Sequence, residues 1–168
     1  ATGAMTPTPS RGTEAGATAA GRPDACACEC ECEVRGLQEG DEPQLRALER
    51  RCFGRDEPQL LEEWIRLADD PWSHTFVAVA RAARGGVVGY VAWMCVQPRG
   101  AVSYLLVLSV AVAEHWRGRR VGEQLLQHVV SEGGDRYPRA LSVRLKVRCD
   151  NAAARSLYER LGFCEVAV

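Results

Sequence analysis

Hydrophobic and polar positions change period several times along the chain, and each change marks an element. From Cys26 the chain alternates strictly, with Cys26, Cys28, Cys30 and Cys32 on one parity and Glu29, Glu31 and Glu33 on the other. A period of two predicts a strand. Two echoes, DEPQL at 41–45 and at 56–60, each set an aspartate and an early proline ahead of apolar residues at helical spacing, which is how helices start. The first continues through Leu45, Leu48 and Cys52, the second through Leu60, Leu61, Trp64, Ile65 and Ala68. Three β-rich runs follow at 74–83, 87–96 and 102–112, separated by RGG at 84–86 and QPRG at 97–100. Connections this short join antiparallel neighbours.

Beyond residue 120 the period returns to that of a helix, with Val121, Leu125, Leu126, Val129 and Val130 forming a stripe that is expected to end at Gly133 and Gly134. A strand is predicted over 141–149. Asn151 is a helix cap, Leu157, Tyr158 and Leu161 form the stripe behind it, and Gly162 stops the helix before a last strand. The order β, α, α, β, β, β, α, β, α, β predicts an α/β (α+β) fold: a mixed, mostly antiparallel sheet of about six strands flanked by about four helices.

Length and composition narrow the classes. At 168 residues with 46% hydrophobic and 26% charged positions the chain has ordinary globular usage. Residues 1–25 are mostly Ala, Thr, Gly, Pro, Ser and Arg and read as a flexible leader, leaving 26–168 as one domain. A net charge of −1 supplies no field to draw nucleic acid or an anionic membrane, so neither is expected as a partner. The apolar run at 101–113 falls short of the roughly 20 residues a membrane helix needs. The leader lacks a secretory apolar stretch, so a cytoplasmic protein is expected, although its composition also fits an organellar transit peptide.

Side chains at i and i+2 of a strand lie about 7 Å apart along one face, so the four alternating cysteines do not converge on one tetrahedral ion, and no metal site is expected. The chemistry is concentrated elsewhere. Val110, Ala111 and Val112 end an apolar strand that runs through RGRRVG at 117–122 into a helix. Free backbone amides and the positive end of the helix dipole make such a turn an anion site. Arg117, Arg119 and Arg120 add charge there, and Gly118 and Gly122 permit close approach.

RGRRVG matches the first and last positions of the pattern [R/Q]xxGx[G/A], and LKVRCDNAAARSLYERLGF at 145–163 follows LxVxxxNxxAxxLYxxxGF. On these two motifs the chain resembles the GNAT superfamily of acyl-CoA N-acyltransferases, above all N-terminal acetyltransferases of the ribosomal-protein-alanine type. Arg120 departs from the first pattern, where the family usually has glycine. The resemblance implies a sheet splayed between the fourth and fifth strands of the predicted order, with acetyl-CoA as cosubstrate in the splay. Its diphosphate would rest on Arg117, Gly118, Arg119, Arg120, Val121, Gly122 and Glu123, and its pantetheine along Val110, Ala111 and Val112 with Asn151 assisting. Tyr158 falls at the family's general-acid position. Lys146, the chain's single lysine, stands where relatives often carry a glutamate, which leaves Glu114 and His115, just past the strand, as candidates to take the amine's proton through water. The implied reaction moves acetyl to a primary amine, a peptide or protein N-terminus ahead of a small amine. The competing classes are a catalytically silent acyl-CoA-binding or protein-interaction module and, last, a cysteine-based metal module.

Overall fold

A computed structural model describes residues 2–7, 31–53, 71–81, 85–99 and 103–166. The strands are β1 (Thr2–Pro7), β2 (Cys32–Gly36), β3 (Ser73–Ala80), β4 (Val87–Val96), β5 (Tyr104–Val112), β6 (Val143–Arg148) and β7 (Phe163–Val166). The helices are α1 (Glu42–Phe53), α2 (Val121–Arg136) and α3 (Ala152–Arg160), with a single 3-10 turn at Glu114–Trp116. The sheet order is β2-β3-β4-β5-β6-β1-β7. Every neighbouring pair is antiparallel except β5 with β6; the short connections β3–β4 and β4–β5 suit antiparallel hairpins, and the helical crossover through α2 suits the parallel pair.

Alternation along β4 builds a core on each face of this sheet. Val91, Trp93 and Cys95 point to one side, where they pack with Val121, Leu125, Leu126 and Val129 of α2 and with Tyr158 of α3. Tyr90 and Ala92 point to the other, against Leu45 and Leu48 of α1. Leu125 is fully buried, and truncating such a residue to alanine costs about 2 to 5 kcal/mol. Helix α2 outlasts its expected end at Gly133 and Gly134 and runs to Arg136. A Cβ on Gly133 would collide with the side chain of Leu105, so this glycine lets the helix lie close on β5 rather than ending it. The cap of α1 is charged: Asp41, buried, accepts bonds at 2.6 and 3.0 Å from Arg35 of β2 and one at 2.9 Å from the amide of Gln38.

Within the span expected as a leader, 1–25, the described residues are Thr2–Pro7. Thr2–Pro7 is a strand between β6 and β7, antiparallel to both, with Ala4 opposite Lys146 and Val166, and Thr6 opposite Cys164. Composition weighs side-chain burial, whereas this segment is placed by backbone bonds to two strands whose facing edges would otherwise lie open. Residues 8–30, and with them Cys26, Cys28 and Cys30, lie outside the described residues, as does the helix expected from Asp56. Cys32, at the end of the alternating run, begins β2 and is buried in the α2 face of the core.

Candidate active site

Strands β5 and β6 stay paired only over residues 105–107 against 143–145. Just beyond, Ala92 of β4 faces Ser109 while Trp93 faces Val107, so Leu108 is an extra residue in β5. A bulge of this kind bends and twists its strand, and the two parallel neighbours part from that point. Beyond the last β5–β6 pair, a cavity of about 550 Å³ lies among the end of β5, the start of α2 and the α3 segment.

Residues far apart in sequence meet there. Val110, Ala111 and Val112 bring the β5 backbone to the cavity, Arg117, Gly118 and Arg120 come from the turn after it, and Val121, Gly122 and Glu123 form the first turn of α2. Asn151 and Tyr158 enter from the α3 segment. The first intrahelical bond of α2 runs from the Gln124 amide to the Arg120 carbonyl at 3.0 Å. The amides of residues 121–123 therefore have no acceptor within the helix and lie at the positive end of its dipole. A Cβ on Gly122 would stand 3.1 Å from Leu157 and 3.7 Å from Val112, so glycine holds this turn close to both the strand and α3.

Arg120 resolves its departure from the glycine pattern in an unusual way. It caps α2 with φ at 60° and ψ at 12°, and among the described residues it is the one non-glycine at positive φ. That backbone costs an L-residue about 1 to 2 kcal/mol. Its exposed side chain reaches Glu123 at 3.9 Å. Arg117 turns back to donate to the Val112 carbonyl at 3.2 Å, and the thiol of Cys52 donates to the same oxygen at 3.6 Å.

Tyr158 is buried, and desolvation pushes its phenol up to about 12. It therefore stays protonated through the physiological range and is a hydrogen-bond donor there. Asn151 caps α3, its side-chain oxygen accepting from the Ala154 amide at 3.1 Å, which leaves its amide group for other partners.

Three expected residues are not brought to the cavity. Arg119 instead pairs with Glu31 and covers the Trp116 ring at 5.1 Å. Glu114 and His115 sit exposed on the 3-10 turn, outside the lining. Lys146 is exposed as well, on the face of β6 opposite Val143, Leu145 and Val147, which belong to the α2 core. Conversely, Cys52 and Phe53 at the end of α1 line the cavity. Nothing in their own segment marks them, because what places them is the packing of α1 across β4 and β5.

The family match agrees with this geometry. The Acetyltransferase (GNAT) family matches residues 42–163, and the chain belongs to it. The chain is similar to N-alpha-acetyltransferase 40 of Saccharomyces cerevisiae, 38% identical over 68 residues, which is 38% of this chain and 24% of that protein. The chain thus spans about a quarter of that relative's length. The fold is shared with Arabidopsis thaliana NAA60 in complex with a bisubstrate analogue, at TM-score 0.68 and 22% identity, over 81% of this chain and 85% of that one. It is shared too with the ribosomal-protein-S18-alanine N-acetyltransferase from Escherichia coli, at TM-score 0.65 and 22% identity, over 81% and 79%.

Proposed function

We propose that the protein transfers acetyl from acetyl-CoA to the α-amine of a peptide or protein N-terminus. The observation that carries this reading is that Tyr158 and the unpaired first-turn amides of α2 open into one cavity, at the point where β5 and β6 part. The amides of Val121, Gly122 and Glu123, with Arg117 and Arg120 beside them, are suited to hold the coenzyme diphosphate. The β5 backbone at Val110, Ala111 and Val112, no longer paired with β6, is suited to hold the pantetheine, with Asn151 facing it. Attack of the neutral amine on the thioester carbonyl forms the C–N bond, expels a thiolate as the C–S bond breaks, and releases one proton from the nitrogen. Tyr158, kept protonated by burial, donates to that thiolate.

An N-terminal acceptor is supported by the likeness to N-terminal acetyltransferases and by the amine's chemistry. An α-amine with a pKa of about 8 is partly neutral at physiological pH, whereas a lysine amine near 10.4 is almost wholly protonated. With Lys146 exposed on β6 and no carboxylate at its position, a partly neutral acceptor suits the site better. The test is a competition in which acetyl-CoA and the protein meet free-N-terminus peptides and N-blocked, lysine-containing counterparts, with products mapped by mass spectrometry. Acetylation of N-termini is expected. Predominant lysine acetylation would overturn the acceptor, and binding of acetyl-CoA without acetylation of any amine would identify a silent binder.

A further inference from the structure

Two charged side chains are buried among the described residues, Asp41 and Glu49. Asp41 is accounted for by its pairing with Arg35 at the cap of α1. Glu49 has no salt bridge of that kind among the described residues, although the charge of Arg46 acts on it. It lies on the inner face of α1, 5% exposed, and accepts a hydrogen bond at 3.3 Å from the hydroxyl of Tyr90, itself fully buried on β4. The Tyr90 oxygen is in turn 3.1 Å from the hydroxyl of Ser109 on β5.

The direction of this chain of hydroxyls follows from counting protons. A phenol has one, and Tyr90 gives it to Glu49, so the Tyr90–Ser109 bond must be donated by Ser109. Ser109 then has its lone pairs left to accept from something else. It is only half-buried. It is also two residues past Val107, the last position at which β5 pairs with β6, and it immediately precedes Val110 of the cavity wall. Its side chain shares the α1 face of the sheet with Tyr90, so it approaches the parting of the strands from the side opposite Tyr158. Cys52, one helical turn from Glu49, and Ala111, the cross-strand partner of Tyr90, both line the cavity.

We propose that Ser109, Tyr90 and Glu49 form the route by which the attacking amine loses its proton, with Ser109 as the inlet at the apex of the splay and Glu49 as the terminal acceptor. The proposal rests on the transferase reading above and gives the amine's proton a route through Ser109, which adjoins Val110 of the cavity lining without itself belonging to it. As the amine nitrogen bonds to the thioester carbon, its proton passes to the Ser109 oxygen. The Ser109 proton passes to Tyr90, and the Tyr90 proton to the Glu49 carboxylate. The C–S electron pair leaves with the thiolate, which Tyr158 protonates on the other face, and both groups then exchange with solvent. Ser109 and Tyr90 each end with one proton, received from the neighbour before them; Glu49 has gained one and Tyr158 has lost one. Glu49 acts through its neighbours and is a positioning residue rather than one that touches substrate.

The surroundings suit that task. Around Glu49, α1 supplies Arg46 and Cys52, β4 supplies Tyr90, β5 supplies Ser109, and β3 contributes the apolar Val77. Burial raises the Glu49 carboxyl above its ordinary range, the Tyr90 bond and Arg46 opposing only in part. A raised carboxyl is a stronger base than an exposed one, closer to what proton acceptance near neutral pH requires.

The test is the pH dependence of kcat/KM on a free-N-terminus peptide for the wild-type protein, Glu49→Gln and Ser109→Ala. Glutamine keeps the size of Glu49 and an oxygen to accept from Tyr90, and acetyl-CoA affinity by calorimetry confirms that each variant is folded. In the wild-type protein two groups must lose protons, the amine and Glu49, so the slope on the acid side should steepen from one to two. Glu49→Gln should keep acetyl-CoA affinity, lower kcat by roughly 100-fold and hold the acid slope at one. Ser109→Ala should lower kcat by more than about tenfold. A wild-type slope of one throughout, an unmoved slope in Glu49→Gln, or full turnover in Ser109→Ala would overturn the relay while leaving the transferase intact. A wild-type protein that binds acetyl-CoA and acetylates nothing would overturn both.

Discussion

Tyr158 of α3 and Cys52 of α1 line one cavity although they belong to cores on opposite faces of the sheet. An intact sheet would keep them apart, because paired strands leave no passage between their faces. The bulge at Leu108 and the early end of the β5–β6 pairing open that passage. The geometry therefore offers two approaches to one point, and the proposed reaction uses both, the thiolate leaving toward Tyr158 and the amine arriving beside α1.

Replacing Tyr158 by phenylalanine keeps the ring that packs 5.9 Å from Phe163 and removes only the hydroxyl. Turnover is expected to fall by roughly 100-fold, with acetyl-CoA affinity unchanged by calorimetry. Unaltered steady-state turnover would reduce Tyr158 to a packing residue.

The left-handed backbone of Arg120 predicts an inversion of the usual helix preference. Glycine there should give a more stable protein than alanine by about 1 kcal/mol, because alanine carries the Cβ penalty of positive φ. Urea unfolding of Arg120→Gly and Arg120→Ala measures the difference. Equal stabilities would mean that the turn before α2 does not have this conformation in solution.

Asp41 links acid stability to the cap of α1. The Arg35 hydrogen bonds hold its carboxyl below the usual carboxylate range, so the folded state favours the charged form. The stability this contributes is fully present above about pH 4, the unfolded value, and is lost as pH falls through the lower folded value. Asp41→Asn should cost about 1 to 3 kcal/mol near neutral pH, and the gap from wild type should close at strongly acid pH. A gap in urea melts that does not change with pH would show that the charge is not what stabilises the cap.

The strand at Thr2–Pro7 is open to a direct check. Thr6 lies opposite Cys164 across an antiparallel pair, where Cα atoms stand about 4.5 to 5.5 Å apart, within the span of a disulfide. Thr6→Cys is expected to cross-link to the native Cys164 under mild oxidation, with the linked peptides identified by mass spectrometry. If no such peptide forms, the strand is not held in this register.

Local order was readable from residues alone wherever period and punctuation agreed. The β4 run at 87–96 matches its strand end for end, and Asn151 and Gly162 bracket α3 as caps and stops dictate. The two motifs at 117–122 and 145–163 carried the family, since a strand feeding a helix through a basic glycine turn is a local arrangement. Gly133 marks where such reading fails: the same residue type that ends helices lies inside α2, because the reason for it is the Leu105 side chain on another strand.

What tertiary structure alone decided are contacts between segments with no common period or motif. Cys52 reaches the cavity because α1 packs across β4 and β5, and the same packing brings Glu49 to Tyr90, 41 residues further along the chain. The gap between β5 and β6 depends on one unmatched residue, Leu108, whose role exists only in register with β4. Thr2–Pro7 takes its place from the open edges of β6 and β7, not from its own composition. Periodicity records which face of an element is apolar; the partner that face meets is set by the packing of the whole chain.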